Sequence, residues 1–200
     1  MIVGKTHIGS GACVGALSLE GGRSMRLLTQ HGYNQPGDTP YEIGGIWDIE
    51  FAAASGPRAP HVEDVLVSRQ QFVGIHPNPR EAILQFERPW RGGPTAVFDG
   101  LARATGNGSG YVSHSTGLPN RSTGYWVPNL ALSQDPGKRR YLYPSQAGIR
   151  RVTYVGYAPV IQTIPSGTLV RVSLARWWRP DDADAELEER CYLQLSGWFG

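Results

Sequence analysis

The residues best suited to bind a ligand lie in the stretch 138–179, which contains eight Lys and Arg residues and no Asp or Glu. Cations neutralise the phosphates of nucleic acid, and flat rings let bases stack, at about 1 to 3 kcal/mol per base. The candidates for phosphate contacts are Lys138, Arg139, Arg140, Arg150, Arg151, Arg171 and Arg176. The candidates for stacking are Tyr125, Trp126, Tyr141, Tyr143 and Trp178.

Each of these residues also has an interpretation that needs no ligand. Large aromatic side chains fill the core of a small barrel, and arginines are often ordinary solvated surface residues. Trp177 and Trp178 are adjacent, and adjacent residues of a strand face opposite sides, so both are core residues only if both faces are covered. We therefore expect one of the two indoles to be exposed or at an interface.

The other polar residues form no recognisable catalytic or metal-binding motif. His61 precedes Glu63 and Asp64, which are acid-base types, but adjacent polar residues before a strand are more often caps and turn formers. The glycines at 9–11 lack the lysine and helix of a P-loop, and those at 106–110 lack the flanking strand and helix of a dinucleotide site. The histidines are dispersed, without zinc-site spacing: His7, His31, His61, His76 and His114. We expect no enzymatic activity, metal or cofactor, with a hydrolase of scattered acid-base residues as an open alternative.

Composition indicates a globular protein rich in turns. Apolar residues make up 40% of the 200 residues, and there are 26 Gly and 15 Pro. Cys13 and Cys191 both lie in strand-like runs, where small buried thiols are common, so we expect no disulfide. No apolar run reaches the roughly 18 residues of a membrane span, and residues 1–5 lack the pattern of a signal peptide. We expect a cytoplasmic protein without a membrane partner.

Charge is distributed unevenly along the chain. The net charge of +2 is too small to indicate nucleic acid by itself, but the basic stretch is followed directly by the acidic run 181–189. The simplest interpretation of this run is a solvated loop or short helix. The alternative is an electrostatic mimic that restrains binding to the basic stretch.

Periodicity predicts a mainly β protein with one or two short helices. Strands are predicted at 2–3, 12–19, 25–28, 46–51 and 65–67, and again at 124–127, 140–143, 151–155, 169–174 and 191–195. Asn78 as an N-cap, Pro79 and Glu81 predict a helix at 79–87. Val97, Phe98 and Leu101 form an apolar stripe that predicts another at 94–104. The glycine-rich turn at 106–110 is the predicted module boundary.

The second half of the chain partly repeats the first. In both 43–51 and 165–174, a glycine turn precedes a strand of alternating apolar and polar residues. Under this correspondence Arg171 and Ser173 stand where Asp48 and Glu50 stand. The two strands would then present opposite charge, and we expect the second half to carry the binding surface.

Three segments together resemble the bacterial dual OB-containing domain family. They are the start of the chain, with Val3-Gly4-Lys5-Thr6-His7 and Gly11-Ala12-Cys13-Val14-Gly15-Ala16, the segment 61–67, and the ending 191–196. The resemblance implies two small five-stranded Greek-key barrels packed together, which we place at 1–105 and 106–200. OB barrels commonly bind oligonucleotides or oligosaccharides, but no fixed set of binding residues is carried over.

Two functions fit these observations. The first is a non-enzymatic module that binds single-stranded DNA or RNA with little sequence preference, through a basic aromatic β-surface in the C-terminal half. The second is a protein-interaction or assembly subunit of a bacterial multi-component system, because Trp, Tyr and Arg are also the residues that dominate protein interfaces. Composition alone does not separate these functions.

Overall fold

The computed structural model describes residues 1–181 and 187–200, and its strands form two sheets. The strands of the first sheet are β1 Ile2–Ile8, β2 Gly11–Leu17, β3 Ser24–Thr29, β4 Gln35–Pro36, β5 Gly45–Ala53 and β6 Asp64–Ile75. Their order is β1-β2-β3-β6-β5, and β4 pairs with β2. β6 runs parallel to β3 and antiparallel to β5. The five strands predicted in this half are confirmed, and β6 is much longer than expected.

The second sheet is larger and contains the rest of the strands that the structure describes. They are β7 Trp90–Gly92, β8 Arg103–Ala104, β9 Gly110–Val112, β10 Thr123–Pro128, β11 Leu132–Gln134, β12 Arg140–Ser145, β13 Gly148–Tyr154, β14 Thr163–Ile164, β15 Leu169–Leu174 and β16 Cys191–Phe199. Their order is β14-β11-β12-β13-β16-β15-β10-β7, with β9 joining β16 to β8. The mainly β, two-module prediction is confirmed. Within the described residues the strand pairing leaves both sheets open, so neither forms the closed barrel that was expected.

The first predicted helix is present as α1, Pro79–Phe86. The side chain of Asn78 accepts a hydrogen bond of 3.2 Å from the backbone N–H of Glu81, as the capping pattern predicts. Ala82 and Ile83 are buried on its inner face. No helix among the described residues is long and apolar enough to cross a membrane.

The second predicted helix, at 94–104, is corrected by the structure. Only a kinked 3-10 segment, Pro94–Gly100, forms there, and Phe98 and Asp99 have positive φ angles of 53° and 56°. Val97 and Phe98 are fully buried in the core of the second sheet, and the indole N–H of Trp90 donates to Asp99 over 2.8 Å. The apolar stripe therefore indicated burial correctly, but a kinked turn rather than a helix delivers it.

The two sheets divide the chain between α1 and β7, whereas the predicted modules are 1–105 and 106–200. β7 pairs in parallel with β10, with Trp90 opposite Trp126, so the second module begins at Trp90 and the first ends with α1. The glycine-rich segment 106–110 does not link the modules, because the backbone N–H of Arg151 donates to the carbonyl of Gly108 over 2.9 Å. We use "N-terminal module" for 1–86 and "C-terminal module" for the described residues from 90 onward.

The two modules share an apolar core and a short strand pairing. Met1, Val3 and Leu17 of the N-terminal module pack in one buried cluster with Tyr125 and Phe199 of the C-terminal module. At the outer edge of β1, the backbone N–H of His7 donates to Val155 over 2.9 Å, and that of Tyr157 donates to Lys5 over 3.2 Å. These contacts hold the modules in one fixed arrangement.

Arg171 lies inside this module interface rather than on the surface. It belongs to β15, which is covered on the side of its polar residues by β1 and β2 of the N-terminal module. Its guanidinium rests on Gly4 and Gly15, which pair across β1 and β2; a Cβ built on Gly15 would lie 2.4 Å from Nη2 of Arg171. Leu169 to Val172 are consequently all buried, although their alternation predicted one free face.

The proposed correspondence between the strands 46–51 and 169–174 does not extend to their positions. Among the described residues β5 is an edge strand that pairs with β6 alone, whereas β15 lies between β10 and β16. Asp48 and Glu50 are exposed, while Arg171 is only 6% exposed. The similarity of the sequences reflects a shared strand period and not an equivalent surface.

Glu63 is the buried carboxylate that ties the modules together. It accepts hydrogen bonds from the backbone N–H and the hydroxyl of Ser122, over 2.5 and 2.8 Å, and from the N–H of Thr123 over 3.2 Å. Bonds to a charged acceptor are stronger than neutral ones, and burial prevents water from replacing them. Glu63 thus anchors the start of β10 to the end of the loop before β6.

We expect Glu63→Gln to lower the free energy of unfolding by about 2 kcal/mol, because an amide cannot accept all three of these hydrogen bonds. Urea unfolding followed by tryptophan fluorescence measures the change. Glu50→Gln is the matched control, since Glu50 is exposed and pairs only with exposed Arg69 over 3.2 Å, and it should change stability little. Equal effects of the two substitutions would contradict the anchoring role.

Candidate functional site

Four of the aromatic residues predicted to stack on bases are core residues. Tyr125, Trp126, Tyr141 and Tyr143 are between 0% and 3% exposed. The indole N–H of Trp126 donates to Gly92 over 2.9 Å, and the hydroxyl of Tyr141 donates to Ile161 over 3.0 Å. This corrects the prediction for these rings, because they fill the buried apolar clusters of the C-terminal module and of the module interface.

Most of the predicted cations already bond to acceptors within the chain. Arg139 donates to the carbonyl of Gly156 over 2.5 Å, and Arg176 pairs with Asp64 over 2.9 Å. Arg140 pairs with Asp135, and Arg151 donates to the carbonyl of Asn107. With Arg171 buried, the remaining members are Lys138 and Arg150, whose side chains form no hydrogen bond or ion pair with a residue that the structure describes. The stretch 138–179 is therefore not one continuous basic surface.

The adjacent indoles differ in environment, which confirms the expectation that at least one is exposed or at an interface. Trp178 is 53% exposed. Trp177 donates from its indole N–H to Ala59 of the N-terminal module over 2.9 Å and stacks on His114 at 4.6 Å between ring centres. Trp177 thus stabilises the module interface, whereas Trp178 remains exposed.

Trp178 belongs to a row of three aromatic side chains on the outer face of the C-terminal module. Its ring centre is 5.9 Å from that of Tyr192, which is 6.3 Å from that of Tyr111. Tyr192 and Tyr111 are paired in register across β16 and β9. We call Tyr111, Tyr192 and Trp178 the aromatic row.

Two arginines flank the aromatic row. The guanidinium of Arg190 lies 4.2 Å from the ring centre of Tyr111, within cation–π range. Arg103 pairs with Tyr111 across β8 and β9, so both side chains leave the sheet on the same side. Tyr111, at one end of the aromatic row, therefore lies beside two arginines.

Arg103 also borders a cleft of about 280 Å³ at the edge where β8 and β9 approach β13. Arg150 and Arg151 line the same cleft, together with the backbone of Gly108 and Gly110. We call this the basic cleft. Because Arg103 lines the basic cleft and also pairs with Tyr111 of the aromatic row, the two features adjoin, and together they form the candidate site.

Sequence reasoning found Trp178, Arg150 and Arg151 but missed Arg103, Tyr111, Arg190 and Tyr192, which lie outside 138–179. A signal for Tyr192 was present: Cys191 and Leu193 on either side of it are apolar, so alternation in a strand places the tyrosine outward. Tyr111 and Arg103 lie in strands too short to show a period. Only the sheet order brings them together.

His61 and Cys191 form a buried contact that is unsuited to nucleophilic chemistry. The thiol sulfur lies 3.7 Å from Nε2 of His61. Burial raises the pKa of Cys191 to about 12, and burial, reinforced by the charge of Arg26, lowers the pKa of His61 to about 4. Both groups are neutral near pH 7, whereas thiol nucleophiles react as thiolates.

Cys13 and Cys191 are both free thiols, and the described residues contain no group of three potential metal ligands.

The acidic run 181–189 is described only at its ends, because residues 182–186 lie outside the described residues. Glu188 accepts hydrogen bonds from the hydroxyls of Ser115 and Ser113, over 2.5 and 2.7 Å, and these bonds lower its pKa. Glu189 pairs with Arg58 of the N-terminal module over 2.6 Å. These two carboxylates therefore bind partners other than the arginines of the basic cleft.

Comparison with known proteins gives one match. The family model described as the dual OB-containing domain matches residues 1–198, which is nearly the whole chain. No curated protein and no solved structure matches the sequence.

The environment of His61 predicts a pH dependence of stability. The folded protein keeps its imidazole neutral down to a pH of about 4, whereas the unfolded chain binds a proton below about pH 6.5. The difference in proton binding contributes roughly 3 kcal/mol to the free energy of unfolding. This contribution is present in full above pH 6.5 and is lost as the pH falls to about 4. Urea titrations at a series of pH values measure the free energy of unfolding. Its decline between about pH 6.5 and 4 should be smaller in His61→Gln than in the wild type, and unchanged in the control His31→Gln, because His31 is exposed. Parallel curves for wild type and His61→Gln would contradict the assignment.

Proposed function

We propose that this chain, which belongs to the dual OB-containing domain family, is a non-enzymatic module that binds single-stranded nucleic acid on the outer face of its C-terminal module. The observation that carries the proposal is the aromatic row beside the basic cleft. Stacking platforms and phosphate-binding cations are the two elements that single-strand binding requires. OB folds as a class commonly bind oligonucleotides through a sheet face and its flanking loops.

The spacing of the aromatic row favours an extended single strand. Its ring centres are 5.9 and 6.3 Å apart, well beyond the roughly 3.4 Å rise of a stacked strand in a duplex. The ring planes of Trp178 and Tyr192 are inclined at 62°, and those of Tyr111 and Tyr192 at 50°, so bases that stack on neighbouring rings are separated and do not stack on each other. Every base has a π-face, so stacking of this kind gives little sequence preference.

The basic cleft supplies the contacts for the backbone. The side chain of Arg150 has no hydrogen-bond or ion-pair partner among the described residues, and within them the side chain of Arg103 donates only to the backbone carbonyls of Gly100 and Ala102, over 2.6 and 3.3 Å. Carbonyls do not neutralise a guanidinium, so a phosphate gains both charge and hydrogen bonds there. A strand that runs from the aromatic row past Arg103 would place its next phosphates in this cleft.

A second candidate function is protein interaction, as an assembly subunit of a bacterial multi-component system. It rests on the far end of β6, where Phe72, Val73 and Ile75 are 52%, 64% and 74% exposed. β6 pairs with β3 only as far as Val67, so its edge beyond that residue is free of strand partners in the described residues. Exposed apolar edges of this kind are templates for pairing with another chain.

The stacking proposal predicts that Trp178→Ala weakens binding of a fluorescein-labelled single-stranded oligonucleotide by about 5- to 100-fold, the loss expected for one stacked base. Fluorescence anisotropy at low salt measures the affinity. Phe72→Ala is the matched control, because Phe72 is equally exposed but lies on the N-terminal module, and it should bind as the wild type does. Absence of binding by the wild type at low salt would end the proposal.

The phosphate contacts predict a change in salt dependence. Charge reversal by Arg150→Glu should weaken oligonucleotide binding about tenfold and reduce the slope of log K against log salt by about one, since one phosphate contact is lost. Arg80→Glu, on exposed α1 of the N-terminal module, makes the same charge change far from the site. If both variants lose affinity equally, binding follows net charge alone and the basic cleft is not the site.

A further inference from the structure

A second cavity, of about 260 Å³, lies between the two modules. Cys13 and Gly15 of β2 line one side, and Arg171 and Ser173 of β15 line the other. It is separate from the basic cleft, with which it shares no residue. Both modules must be in place for this cavity to exist.

Arg171 is an unpaired charge within this cavity. The residue is only 6% exposed, and no carboxylate of the described residues lies within ion-pair distance of it. Its polar neighbour is the neutral hydroxyl of Tyr125, which does not offset the charge, and a buried guanidinium without an anion is unfavourable. Gly4 and Gly15 leave room for the planar group against the β1–β2 backbone, so its position is built into the fold.

The charged side chains at the cavity sum to a positive excess. Arg26 and Arg176 line it, and both pair with the single carboxylate of Asp64. The Nε of Arg26 is buried without a hydrogen-bond partner among the described residues. The carboxylate of Glu63 is held by Ser122 and Thr123, and His61 is neutral, its pKa being lowered to about 4. Three guanidinium groups therefore face two carboxylates.

We propose that this inter-module cavity binds a small phosphorylated ligand, with Arg171 as its main phosphate contact and Arg26 and Arg176 alongside. A phosphate carries one to two negative charges and several acceptor oxygens, which matches the positive charge excess and the guanidinium of Arg171, which has no carboxylate partner among the described residues. The volume admits a molecule up to about the size of a mononucleotide, below the usual range of drug-sized pockets. The enclosing modules leave no room for a polynucleotide.

The test compares thermal unfolding of the full chain with and without inorganic phosphate and adenosine monophosphate, at constant ionic strength maintained with sodium chloride. At ten times Kd we expect a rise in Tm of roughly 3 to 6 °C, with binding confirmed by calorimetry. Acetate at equal ionic strength is the control for a carboxylate anion and should not raise Tm. No rise with either phosphate ligand, or an equal rise with acetate, would overturn the proposal.

Variants locate the site and separate it from the proposed oligonucleotide surface. Arg171→Met removes the buried charge with similar packing volume, so the variant should fold and lose the phosphate-dependent rise. Gly15→Ala should lose it too, because its Cβ would displace the guanidinium, while Gly21→Ala, whose Cβ meets nothing within 4 Å, should keep it. Arg150→Glu should keep the phosphate response while it loses oligonucleotide affinity. Loss of the response in Arg150→Glu, or its persistence in Arg171→Met, would place phosphate elsewhere and overturn the assignment.

Discussion

The close approach of β15 to the β1–β2 pair is the constraint on which the rest of the structure depends. Gly4 and Gly15 are opposite each other on neighbouring strands, and their missing side chains leave the space that the guanidinium of Arg171 fills. A Cβ at either position would displace this guanidinium. With the sheets in contact, Glu63 reaches Ser122 and the edge of β1 reaches Val155, so the modules share one core and have one relative orientation.

This constraint decides which surfaces are left for ligands. An alternating strand shows that one of its faces is polar, but not whether water, a ligand or another part of the chain covers that face. In β15 the N-terminal module covers it. The basic residues of 138–179 follow the same logic, since Arg139 and Arg176 meet a carbonyl and a carboxylate that are distant in sequence. Charge density along a sequence therefore overestimates the charge available at the surface.

Local features of the sequence predicted local structure well. The capping pattern at Asn78 and the alternation of β5 and β15 each depend on a few neighbouring residues, and each gave the correct element. The segment around Phe98 failed because its apolar spacing is compatible with a helix and with a kinked turn, and only contact with the core selects between them. The division between the sheets lies away from the predicted boundary for a similar reason, since β7 forms through pairing with β10, and glycines mark a turn without saying whether the turn separates modules.

The candidate site illustrates why binding surfaces are harder to predict than strands. Its residues come from β8, β9, β13, β16 and the segment before β16. Of the three rings, Trp178 and Tyr192 are near each other in sequence, but Tyr111 is distant from both. The orientation of the central ring, Tyr192, nonetheless follows from its neighbour in the strand. Cys191 faces inward against His61 of the other module, and adjacent residues of a strand face opposite sides, so Tyr192 must face outward. The same packing that fixes the modules against each other therefore fixes the orientation of the aromatic row.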